Sequence, residues 1–229
     1  MNLVALSDPR IAATPTVDNQ EPMLPLRAAG RLFLDDSAAN QQNLGYAHQF
    51  VLREGVIARL QAAAEALPAG IGLLIKETWR PAPFQAFIYQ RRKQRLADAE
   101  PTLTDAALDA QTSRFIAPPH VAGHPTGGAF DVTLCDLAGN ELDLGCGYDE
   151  DEYHSAGRCL SFATDLSPSA TRHRHYLFAA LQAQGFVNYP FEWWHWSYGD
   201  KYWAALHGAP HACYDAVSVV SHVSDTVVV

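Results

Sequence analysis

The feature that most constrains this chain is the segment His124-Pro125-Thr126-Gly127-Gly128-Ala129-Phe130-Asp131. From Gly128 to Leu134 the sequence GAFDVTL alternates Phe130, Val132 and Leu134 against Ala129, Asp131 and Thr133, the period of a strand with one polar face. An imidazole therefore leads a tight glycine turn into a strand that presents a carboxylate.

Both side chains are good zinc ligands, and a catalytic zinc site takes three protein ligands and leaves the fourth position for water. Phe191-Glu192-Trp193-Trp194-His195 supplies a third ligand and a base within four residues. In an extended or bent segment His195 binds the ion while Glu192 faces the water. Zinc lowers the pKa of that water, and a carboxylate that is not a ligand accepts the proton and returns it to the leaving amine. Arg80, permanently charged, is the candidate partner for the developing oxyanion. Read separately, each part has a plainer alternative. His124 with Asp131 also fits a turn histidine before a strand aspartate, Glu192 to His195 an aromatic core strand, and Arg80 a surface ion-pair partner.

Bulk properties allow such a site. With 229 residues, 48% of them hydrophobic, the chain can bury the core of one large domain. The net charge of −9 and the absence of a basic stripe argue against nucleic acid, the longest basic run being Arg91-Arg92-Lys93 in a helix-forming stretch. No stretch reaches the roughly 18 apolar residues of a membrane span. The N-terminus lacks a basic leader, so the cytoplasm is the default, with a periplasmic location open if a signal has been removed. Cys135, Cys146, Cys159 and Cys213 contain no CxxC pair and read as buried or unpaired thiols. Oligomeric state leaves no mark in the sequence.

Along the chain, residues 1–24 read as an extended arm, 25–212 as the catalytic domain and 213–229 as a tail or edge strand. The spacing predicts an amphipathic helix over 51–67, a strand over 71–75, a helix from Pro83 to about Ala99, and a loop-rich stretch to Pro125. A further helix over about 170–184 precedes extended segments at 186–189 and 192–198. The fold class expected is α+β: one small central, mainly antiparallel sheet flanked by helices.

HxxGxAxD, here His124, Gly127, Ala129 and Asp131, followed by ExWH, here Glu192, Trp194 and His195, resembles the D-alanyl-D-alanine dipeptidase family of zinc peptidases. The resemblance runs from about Asn43 to Trp203, through Trp79-Arg80-Pro81, Asp143-Leu144-Gly145, Tyr148-Asp149 and the segments flanking Glu192 and His195. It implies a D,D-peptidase or hedgehog-like fold, one Zn2+ per chain, and hydrolysis of the free dipeptide D-alanyl-D-alanine. His124, Asp131 and His195 would be ligands, Glu192 the base and acid, Arg80 the transition-state stabiliser, and Asp149 the partner of the dipeptide ammonium. Asp149 equally fits a solvated residue of the acidic run 149–152.

The chain departs from the family where Ala122-Gly123 replaces hydroxyl residues, where Glu77-Thr78-Trp79 replaces Asp-Gly-Tyr, and where Cys146 replaces threonine. Two rivals remain: a D,D-carboxypeptidase or endopeptidase trimming peptidoglycan stems, and a zinc-binding protein without turnover. His120, near the first motif, is a candidate substrate contact.

Overall fold

The structure, a computed structural model, describes residues 3–218. Strands β1 (Met23–Pro25), β2 (Leu32–Leu34), β3 (Val51–Arg53), β4 (Ile71–Glu77), β5 (Ala129–Asp136), β6 (Val187–Asn188) and β7 (His195–Ser197) form two sheets. β1 and β3 make a short ladder, and the central sheet runs β2-β4-β5-β7-β6. Only the β2–β4 pairing in it is parallel. Around it lie α1 (Pro9–Ala13), α2 (Ala38–Leu44), α3 (Glu54–Ala66), α4 (Ala82–Ala99), α5 (Asp105–Thr112), α6 (Pro168–Ala183) and α7 (Lys201–His207). This is the α+β class read from the sequence.

The alternation along β5 is what divides the molecule. Phe130, Val132 and Leu134 enter a core with Val56, Leu60 and Ala63 of α3 and Leu177 and Leu181 of α6. Phe130 is fully buried, edge-on to Phe186 at 4.9 Å, and burial of such a ring stabilises by about 1.5–3 kcal/mol. The opposite face of β5 carries Asp131 and Thr133 and is not solvated as its polarity implied: they are 4% and 1% exposed. It serves as the floor of a polar site, where Tyr148 hydrogen-bonds Asp131.

Several boundaries differ from the sequence reading. The helix expected from Val51 begins at Glu54, because Val51–Arg53 pairs with Met23–Pro25 and the Arg53 N–H donates to Gly127 O. Tertiary pairing overrides local propensity there. The supposed loop before Pro125 contains α5, whose Thr104 hydroxyl caps the Ala107 N–H. The arm is not wholly extended: Asp8 and Pro9 start the one-turn helix α1, and Thr16 bridges Ala212. Residues 213–217 are not a loose tail, since Tyr214 is buried and Val217 N–H donates to Pro125 O. The rest of the predicted tail, from 219 on, lies outside the described residues.

Candidate active site

Strand register builds the site. Asp131 on β5 stands opposite His195 on β7 and Glu77 on β4, and directly opposed residues of antiparallel strands share a face. By strict alternation Glu77 would follow Ile75 into the core. A register shift between Ile75 and Glu77 turns it onto the face of Asp131 instead, as bulges beside active sites commonly do. His124 reaches the same face from a single 3-10 turn, His124–Thr126, closed by Gly127 at φ 72°, a left-handed conformation that favours glycine.

His124, Asp131 and His195 bring their ligating atoms within 4.8 Å of one another. His195 Nδ1 lies 2.9 Å and His124 Nε2 3.5 Å from Asp131 Oδ1. His124 Nδ1 lies 2.7 Å from Thr78 O; a carbonyl only accepts, so Nδ1 carries the proton and the Nε2 lone pair faces the cluster. Tyr148 Oη donates to Asp131 Oδ2 at 3.0 Å, leaving Oδ1 for an ion. Burial alone would raise the Asp131 carboxyl, but His124 and His195 pull it well below the usual range. Two imidazoles and an ionised carboxylate, each oriented by a hydrogen bond or its strand, are a donor set suited to a divalent transition metal.

Arg80 is held beside them. Its Nε and Nη2 donate to the two oxygens of Glu77 at 2.7 and 2.6 Å, and Nη1 donates to Gln85 Oε1 at 2.8 Å. A guanidinium has five N–H donors, so two remain for a ligand. Burial opposes charge on both partners, yet the pairing keeps Glu77 ionised and Arg80 protonated. Tyr46 Oη adds a hydrogen bond to Glu77 Oε1 at 2.8 Å.

Glu192 and Asp149 line the same cleft, of about 170 Å³, as Arg80 and the three metal-capable residues. Burial, then the charges of Asp131 and Asp149, push the Glu192 carboxyl well above its ordinary value. Asp149 occupies the left-handed region at φ 62°, a strained state for a non-glycine residue, and Asn43 Nδ2 donates to it at 3.4 Å. It is solvent-exposed, but the surrounding protein and the charges of Asp131 and Glu77 lift its carboxyl to about 6.

All six residues singled out from the sequence thus converge, whereas His120 is exposed and does not line the cleft. The sequence reading missed the supports. Glu77 registered only as a departure from Asp, though its position three residues before Arg80 was the available signal. His48, whose Nε2 accepts from the Thr78 N–H at 2.9 Å, holds the residue whose carbonyl orients His124; burial lowers its pKa to about 4, which keeps it neutral. Gln85 gave no sign and Tyr148 entered only as part of the resemblance, because only folding places them against Arg80 and Asp131. The cysteines are free thiols, and Trp193 Nε1 donates to Cys146 Sγ at 3.3 Å.

A buried carboxylate flanked by two histidines, with a second carboxylate and a clamped guanidinium across a small cleft, defines a metallopeptidase centre. A family model described as D-ala-D-ala dipeptidase, of the M15 peptidases, matches residues 30–215, and the chain belongs to that family. It is 25% identical over 242 residues to a D-alanyl-D-alanine dipeptidase of Synechocystis sp., covering 92% of this chain and 95% of that protein. It is 31% identical over 144 residues to a D-alanyl-D-alanine dipeptidase of Escherichia coli K12, covering 62% of this chain and 63% of that one. Solved structures similar to it include a vancomycin resistance D,D-pentapeptidase VanY with Zn(II), at TM-score 0.41 and 15% identity over 71% of this chain and 80% of that one. Another is VanYB with D-Ala-D-Ala, at TM-score 0.43 and 14% identity over 88% and 94%. Among the described residues no helix is long and apolar enough to cross a membrane.

Proposed function

We propose that this chain hydrolyses free D-alanyl-D-alanine to two molecules of D-alanine, with one Zn2+ held by His124, Asp131 and His195. When bound, zinc polarises the scissile carbonyl and lowers the pKa of a water molecule. Glu192 would carry a proton from the attacking water to the leaving amine, a role open to it because no described side chain hydrogen-bonds its carboxylate. Arg80 directs its two uncommitted N–H groups at the oxygen that gains charge. Asp149 holds the substrate ammonium.

The observation that carries this reading is the presence of Asp149 in the same small cleft as the metal-capable cluster. A fixed carboxylate there rewards a free amino terminus next to the bond being cut, which selects a dipeptide over an internal peptide bond. The names of both curated relatives support the same substrate. A panel of free D,D, L,D and L,L dipeptides, assayed with zinc, tests it: D-alanyl-D-alanine should be cleaved fastest, and activity that survives removal of all metal would refute the mechanism.

One observation favours a longer substrate. A second cavity, lined by Arg91, Arg92, Arg95, Phe115 and Asp151, shares Asp149 and Glu192 with the cleft, leaving room for a peptidoglycan stem. Release of D-alanine from acyl-blocked tripeptides as fast as from the free dipeptide would establish that reading.

The Asp149 role sets a pH dependence. An ionised Asp149 is needed to hold the ammonium, and its carboxyl is raised to about 6, so KM should rise as pH falls through that value. KM should rise again above about 8, where an α-amino group loses its proton. Asp149→Asn should raise KM throughout and erase the acid limb; an unchanged KM profile removes Asp149 from substrate binding.

A further inference from the structure

Helix α4 carries the longest basic run of the chain, Arg91-Arg92-Lys93, and the dipeptidase reading uses none of it. The helix splits this run. Lys93 is paired, with Nζ 2.8 Å from Asp105 and 2.7 Å from Asp109 of α5. Arg91 and Arg92, four and three residues before Arg95, share a different face with it, and all three line the second cavity. That cavity measures about 360 Å³, within the range of small-ligand sites.

Among the described residues, none of these three guanidiniums forms a hydrogen bond or an ion pair. Their contacts are with rings: Arg91 lies over Phe87 at 5.4 Å and Arg92 over Phe115 at 5.0 Å. Arg92 is half-buried, and its Nε is enclosed without a hydrogen-bond partner. Burial outweighs the pull of Asp151, Glu192 and Asp149 and lowers its pKa, yet a guanidinium stays charged at neutral pH.

The other charged residues of this cavity are negative: Asp149, Glu150, Asp151 and Glu192. The Glu150 carboxylate has no hydrogen-bond partner among the described residues, and Asp151 commits only Oδ1, to the backbone and ring of His154. Cations and anions thus share one cavity without pairing. A plain anion would meet the carboxylates there, and a plain cation the arginines. A molecule bearing both charges satisfies each set, its carboxylate on the arginine N–H forks and its ammonium on the acids.

We propose that the second cavity is a binding site for a small zwitterion, a free α-amino acid or a short free peptide, with its carboxylate on Arg92 and Arg95 and its ammonium on Glu150 and Asp151. The site rests on these two sets of charges and not on the dipeptidase reading. Asp149 and Glu192 border both cavities, so an occupant sits beside groups placed in the reaction.

The test is calorimetric titration of the zinc-loaded full chain with D-alanine and with 5-aminopentanoate, which spaces its charges as a free dipeptide does but has no peptide bond to cut. The tighter of the two identifies the ligand as amino acid or peptide. It should bind at least about tenfold more tightly than propionate or ethylamine, each of which offers one charge, and Arg92→Gln/Arg95→Gln should weaken it by about tenfold or more, the loss of a charge-assisted hydrogen bond. Absence of binding by both zwitterions, an unchanged Kd in the double variant, or propionate binding as tightly as the zwitterion overturns the proposal. Should the double variant unfold, Arg95→Gln, at an exposed and unpaired side chain, decides alone. No turnover is needed, so failure here leaves the dipeptidase reading standing.

Discussion

Replacing Glu192 by alanine is expected to leave zinc bound and to lower kcat for D-alanyl-D-alanine by about 10²–10⁴-fold, the usual contribution of a positioned acid-base group. The structure separates two carboxylates by environment. Asp131, between two histidines, is held ionised and suited to coordination, while burial and like charges raise Glu192, a proton carrier. Environments that push paired carboxyls apart divide them between such roles. The sign follows: a base raised in the folded protein becomes active only as pH rises, so wild-type kcat should show an ascending limb that Glu192→Gln lacks. Metal content by elemental analysis, measured beside the kinetics, checks the split, and full activity in Glu192→Ala would remove the residue from the mechanism.

Arg80→Lys is expected to lower kcat by about 10²–10³-fold with a smaller change in KM, the loss typical of one oxyanion donor. Lysine keeps the positive charge but cannot match the fork that Nε and Nη2 present to Glu77. The charge near Glu77 would persist while the aim of the donors is lost. Lysine is preferable to alanine here, because alanine would strand Glu77, 1% exposed, without its counter-charge at a cost of about 3–5 kcal/mol in stability. Steady-state kinetics with a thermal melt distinguish the effects: wild-type kcat in a folded Arg80→Lys protein would exclude a role for the guanidinium geometry.

The pieces of the site were visible in the chain because metal chemistry demands particular side chains and strands impose a period of two. His124, Asp131, Glu192, His195 and Arg80 could be named from residue type and spacing, and Asp149 by resemblance. The helices at α3, α4 and α6 were likewise legible, since helix-forming residues with a common apolar face run over several turns in each. Short elements fared worse: α5 rests on one capping threonine, and Val51–Arg53 is a strand only because Met23–Pro25 lies beside it.

By itself, then, the sequence determined the α+β class and the chemical inventory of the site. Folding alone decided how the inventory is aimed. A register shift in β4 turns Glu77 toward Asp131 and lets it clamp Arg80, the Thr78 carbonyl selects the tautomer of His124, and Leu6, more than a hundred residues before His124 in the chain, becomes part of the cleft wall. Local patterns cannot encode such placements, because each depends on a partner distant in sequence whose position is set by the packing of the whole domain.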